Sequence, residues 1–122
     1  MKFIGLSRVF STENDAQYEA IGQFWADMSA KYGIENLRGL GFNWGVNSIE
    51  YVIGLKYNTV PAAEPDAELK TLDLPDTGWL GYDGTTDRLA ELYDIIYRDG
   101  VLDYEIETFA PDGSCHVEIF RY

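Results

Sequence analysis

The stretch Ile21–Ile34, IGQFWADMSAKYGI, has a partner further along the chain in Arg88–Val101, RLAELYDIIYRDGV. Laid over each other, they place Trp25 on Leu92, Asp27 on Asp94, Met28 on Ile95, Lys31 on Arg98 and Gly33 on Gly100. The first carries apolar residues at Ile21, Phe24, Trp25, Met28 and Tyr32, the stripe of a helix that covers a sheet. The second does the same with Leu89, Leu92, Tyr93 and Ile96, with Ile95 at its margin. Each helix is expected to stop at its glycine, Gly33 or Gly100, as a left-handed residue after the last turn. The terminal strands overlay as well: Tyr51–Tyr57 (YVIGLKY) falls on His116–Tyr122 (HVEIFRY) at nearly the same shift along the chain. A doubled unit has a seam, and a seam between two similar halves is a natural place for a ligand cavity.

Working outward, Lys2–Phe10 alternates as a strand, with Phe3 and Val9 facing one way and Ile4, Leu6 and Phe10 the other. Ser11–Asp15 supplies turn chemistry, and Asn14 with Gln17 can form a reciprocal cap for the first helix. Leu40–Gly45 and Glu50–Asn58 read as a hairpin, with Tyr51, Ile53, Leu55 and Tyr57 on one face. Residues 59–68 (TVPAAEPDAE) read as a connection between two halves, 1–58 and 69–122, of a single domain. The second half opens with Leu69–Leu74, continues through Trp79–Tyr82 into the second helix, and closes with a hairpin of Tyr104–Phe109 and His116–Tyr122. The expected fold is α+β, a tandem β-α-β-β repeat with strands antiparallel within each hairpin and two helices on one side of the sheet.

Composition narrows the function. The 122 residues suffice for one core without disulfides, and a single cysteine, Cys115, permits none within the chain. One Cys and one His cannot make a zinc set without carboxylates, so neither metal nor cofactor is expected. No apolar run approaches the ~20 residues of a membrane span, and a cytoplasmic location is the expectation. Twenty-one acidic against 9 basic residues give a net charge of −12, and the few Lys and Arg are scattered along the chain. Direct nucleic-acid binding is therefore not expected, since phosphate neutralisation needs clustered cations. An acidic field favours cationic ligands or basic protein surfaces. Three Trp, nine Tyr and six Phe exceed what core filling needs, and such a surplus suits a cavity that grips planar or cationic molecules.

Several segments, in order, resemble the GyrI-like small-molecule-binding family: Ile21-Gly22-Gln23-Phe24-Trp25, Gly41-Phe42-Asn43-Trp44-Gly45, Glu50-Tyr51-Val52-Ile53-Gly54, Leu74-Pro75 with Gly78-Trp79 and Tyr82, and Val117-Glu118-Ile119-Phe120. That family includes the effector-binding domains of multidrug-sensing bacterial regulators and free-standing relatives. The resemblance implies two SHS2-type modules side by side with an aromatic cavity between them. It also implies that a last-strand glutamate, here Glu118, meets lipophilic cations there. The chain departs from the family in its short segment around Trp79–Gly84 and in Phe120, where a tyrosine is frequent.

On the residues alone, Glu118 shares a strand face with His116, Phe120 and Tyr122, and a lone carboxylate there is costly to bury unless paired. Solvent exposure, or a pair with Lys56 or Arg121, is the plainer alternative. Tyr51 is expected to reach the cavity from the other half, with Trp79 at its rim and Trp44 and Tyr82 as further candidates. Trp25 is a candidate too, though its stripe position favours core packing over a ligand platform. Asp103, Glu105 and Glu107 are expected to line a solvated strand face, and Gly39-Leu40-Gly41 to mark bulges or turns. The leading expectation is a stand-alone binder of lipophilic, cationic compounds. Alternatives implied by the resemblance are hydrolysis of cyclopropane-type electrophiles by Glu118 and Tyr51, or contact with a protein partner such as a regulator or DNA gyrase.

Overall fold

The computed structural model describes residues 1–122. Its strands are β1 (Lys2–Ser11), β2 (Leu37–Phe42), β3 (Ser48–Leu55), β4 (Glu68–Asp73), β5 (Leu80–Thr85), β6 (Tyr104–Phe109) and β7 (Ser114–Phe120). Helix α1 (Ala16–Tyr32) follows β1, and α2 (Leu89–Tyr97) follows β5. The strands form one seven-stranded sheet in the order β4-β1-β3-β2-β6-β7-β5. Every pairing is antiparallel. The fold class is α+β.

Register assigns the faces. Gly41 of β2 stands opposite Tyr51 on one side and Glu105 on the other, while Gly39 stands opposite Ile53 and Glu107. These residues therefore share one face. Tyr51 bonds Trp25 of α1, and Glu105 and Glu107 bond tyrosines of α2, so both helices cover that face. Phe24, Trp25 and Met28 of α1 pack with Leu6, Leu37, Tyr51 and Ile53 beneath them, all buried. Ile96, Leu102, Val117 and Ile119 form the corresponding cluster at α2. The two helices differ in length, 17 residues against 9.

The other face has its own core of Phe3, Leu40, Val52, Leu74 and Ile106, with Trp79 and Tyr104 packed against it. The β4–β5 connection shields it: Leu74 N–H donates to the Met1 carbonyl at 2.7 Å, and the Trp79 indole donates to the Pro75 carbonyl at 2.8 Å. Alternation in β1 follows this division, because Phe3 feeds the second core and Leu6 the first. The outer edges of the sheet are β4 and β5.

Two local expectations need correction. Leu69–Leu74 does not open a second half of the sheet; β4 returns to pair with β1, Leu6 opposite Leu69, and extends the first strand's outer edge. The Asn14–Gln17 cap does not form. Asp15 at φ 59° occupies the cap position without a side-chain bond to the helix, and Gln17 lies inside α1.

Candidate functional site

Between the two helices a hollow of about 400 Å³ opens over the middle of the sheet. Its α1 wall is Gln17, Tyr18, Ile21 and Gly22; its α2 wall is Leu89, Tyr93 and Tyr97. Ile49 and Trp44 close one end, and the floor is Glu105 and Glu107 of β6. Both glutamates are buried, at 4% and 6% exposure, so the expectation of a solvated strand face is overturned. Their strand lies inside the sheet between β2 and β7, and its helix-facing side is roofed by the tyrosines of α2.

Hydroxyl groups make that burial tolerable. Tyr51 donates to Glu107 Oε1 at 2.5 Å and accepts a bond from the Trp25 indole at 2.8 Å. Tyr93 donates to Glu107 Oε2, and Tyr97 donates to Glu105 Oε2 at 3.0 Å. Glu107 thus holds two donors and Glu105 one. Burial and the neighbouring Glu107 charge push the Glu105 carboxyl up to about 8. Burial raises Glu107 as well, opposed by its two hydroxyl donors. Near neutral pH Glu105 therefore holds its proton, and Glu107, with two hydroxyl donors against one, is the better placed of the two to carry charge. The phenols move upward too: burial and the nearby glutamates keep Tyr51, Tyr93 and Tyr97 protonated as donors. In the α1 wall, the side-chain Oε1 of Gln17 is buried without a hydrogen-bond donor.

Glycine gives the network its room. A Cβ on Gly39 would lie 2.2 Å from the Tyr51 hydroxyl and 2.7 Å from the Trp25 ring. One on Gly41 would lie 2.9 Å from Glu105 Oε1. These glycines are interior strand residues at alternate positions of β2, not bulges or turns. They mark where side chains from the neighbouring strands lean across the backbone. That spacing, facing a strand with glutamates at the same period, was the available sequence signal for the floor.

The six expected site residues divide. Trp44 lines the hollow. Tyr51 and Trp25 stand behind its floor, joined to Glu107 through the Tyr51 hydroxyl, with Trp25 edge-on to Phe109 at 4.8 Å. Tyr82 faces the helices but packs on the Ile96–Val117 cluster. Trp79 lies on the opposite face, against Tyr104 and Phe120. Glu118 is on that opposite face too, with 42% of its side chain exposed and Oε1 3.3 Å from His116 Nε2. His116 in turn approaches Asp83 at 2.7 Å, and neither Lys56 nor Arg121 pairs with Glu118.

Sheet register sets these faces. Tyr51 pairs with Gly41, and Val117 with Glu107, on the side the helices cover; Glu118 pairs with Ile106 on the other. Tyr51 and Glu118 are therefore separated by the sheet and cannot act on one substrate.

No three His, Cys, Asp or Glu side chains converge as a metal site, and no helix is long and apolar enough to cross a membrane. In comparisons with known proteins, no protein-family model and no curated protein matches the chain.

Proposed function

We propose that the hollow binds a lipophilic cation, with the Glu105–Glu107 pair as its counter-charge. The observation that carries this is a buried acid pair on the floor of an aromatic-walled cavity, with no Lys or Arg beside it. A cation entering there regains for Glu107 the attraction that burial removes from water, and expels the proton of Glu105. Tyr18, Tyr93, Tyr97 and Trp44 offer ring faces to the apolar parts of the guest. The buried Gln17 oxygen can accept a bond from a guest N–H. Supporting the same reading, the strand order β1-β3-β2 meets β6-β7-β5 at an antiparallel β2–β6 join, as two β-α-β-β units related by duplication would, with β4 added at one edge. The resemblance to the GyrI-like family points the same way, with the counter-charge transferred from Glu118 to β6.

Tetraphenylphosphonium, with triphenylphosphine oxide as its neutral counterpart, provides the test by tryptophan quenching and calorimetry. The cation is expected to bind and the neutral compound to bind at least tenfold more weakly. A Cβ on Gly22 meets nothing within 4 Å, so Gly22→Trp can occupy the hollow from its α1 wall while leaving the two acids in the sequence. This variant and Glu107→Gln should each abolish binding, while Glu118→Gln leaves it unchanged. Cation binding that survives both Gly22→Trp and Glu107→Gln would overturn the proposal.

One observation favours a hydrolase as second reading: Glu105, which holds its proton near neutral pH, shares the floor with a second carboxyl braced by two hydroxyl donors, an arrangement suited to a general acid and a general base. Glu105 then protonates and Glu107 activates water. Turnover of a cyclopropane-type electrophile, lost in Glu105→Gln with the fold intact, would establish it.

A further inference from the structure

Far from that hollow, the corner where the starts of β1 and β2 meet the turn after β3 forms a second depression, of about 410 Å³. Lys2, Arg38 and Lys56 line it, three of the nine Lys and Arg residues in a chain of net charge −12. Elsewhere Lys31, Lys70 and Arg88 each lie against a glutamate. Lys2, Arg38 and Lys56, like Arg8, Arg98 and Arg121, have no carboxylate within ion-pair distance, and the fold gathers the first three in one depression. The one acid–base contact at the corner is the Met1 amine with Asp76. Cations scattered in the sequence are gathered by the fold and left without counter-charges.

Arg38 is held in place by more than chance contact. Its Nη2 donates to the Asn58 side-chain oxygen at 2.6 Å and to the Lys2 carbonyl at 3.0 Å, and its guanidinium sits 4.3 Å from the centre of the Phe3 ring. Its Nε is buried without an acceptor. Asn58 is itself braced, since its amide donates to the Lys2 carbonyl at 3.3 Å. Holding that brace requires two successive non-glycine residues in the left-handed region, Tyr57 at φ 66° and Asn58 at φ 57°. Packing does not account for the conformation of Tyr57, whose side chain is 97% exposed at the rim. Strain of this kind is characteristic of ligand clamps.

We propose that this corner is a binding site for a small phosphate-bearing anion. With Nη2 committed and Nε buried, the guanidinium offers Nη1 to a phosphate oxygen, and Lys2 and Lys56 add two mobile ammonium groups. The site is independent of the hollow between the helices and stands whether or not a cation binds there.

Pyrophosphate titrated into the ¹⁵N-labelled protein in about 150 mM salt, where the Debye length is roughly 8 Å and non-specific attraction is screened, tests the assignment. Saturable amide shifts confined to Lys2, Arg38 and Lys56–Asn58 are expected. Lys56→Gln, at an exposed position, should weaken binding at least fivefold with thermal stability unchanged. Arg38→Lys, which keeps the charge but loses the planar guanidinium that is anchored to Asn58 and carries Nη1, should weaken it further. Shifts spread over unrelated surface residues, or an affinity untouched by Lys56→Gln, would overturn the proposal, as would failure to saturate by about 20 mM pyrophosphate.

Discussion

Glu105 and Glu107 project from the same face of one strand, yet only Glu107 has two hydroxyl donors. With less to stabilise its charge, Glu105 keeps a proton to about pH 8, far above an ordinary glutamate. The sign for stability follows. The unfolded chain gives up this proton near pH 4.5 and the folded chain holds it, so between those values the folded state binds more protons. The contribution is fully present below the lower value and is lost as pH rises through about 8. Glu105→Gln mimics the protonated group. It should flatten the fall in urea-derived stability between pH 5 and 8, and at pH 8 it should exceed the parent by roughly 1–3 kcal/mol. A parent profile already flat over that range would contradict the protonation assigned here. The same proton links ligand to pH: a cation that displaces it binds more tightly at pH 8 than at pH 6. Glu50, on the opposite face, behaves in reverse. Burial alone would raise it, but bonds from Lys70, Ser7 and Asn43 outweigh burial and hold it below the usual range.

At the scale of elements, β2 is the strand on which the site depends. Its glycines leave the space into which Tyr51 and Glu105 lean, so an added methyl has nowhere to go at Gly39. Gly39→Ala would press on both the Tyr51 hydroxyl and the Trp25 ring, and is expected to cost roughly 1–3 kcal/mol in thermal or denaturant unfolding. Cation binding should fall with it, because the Tyr51–Glu107 bond is displaced. Periodicity made most of this layer legible from the sequence. Phe24, Trp25 and Met28 are buried where the helical stripe places them, and Tyr51 faces the helices as the alternation in β3 requires. What local pattern cannot supply is which face of a strand the helices will cover. In HVEIFRY both faces carry aromatic or apolar residues, so alternation groups Glu118 with His116 and Phe120 without saying which side of the sheet they take. In YEIETF the alternating glutamates look like an exposed strand until β2 and the tyrosines of α2 are set beside them. The destination of β4 was hidden for the same reason, since pairing with β1 is a long-range choice.

For the molecule as a whole, charge is unevenly distributed. An excess of 12 negative charges opposes the compact state through self-repulsion, and added salt screens it. Raising sodium chloride from about 20 to 200 mM at pH 8 should therefore raise the midpoint of thermal unfolding. No change, or a fall, would indicate that local ion pairs such as Lys70–Glu50 outweigh the general repulsion.

The strands at the two ends of the sheet have a further consequence. Each offers an unpaired row of amide and carbonyl groups, guarded in β4 by Glu68 and Asp73 and in β5 by Asp83. Unpaired rows of this sort join to one another unless charge keeps them apart. Near the isoelectric point of 4.2 the net charge that keeps molecules apart vanishes. Acidification is then expected to produce strand-to-strand aggregates of native-like molecules before it produces unfolded ones. Purification and crystallisation trials should stay well above that pH.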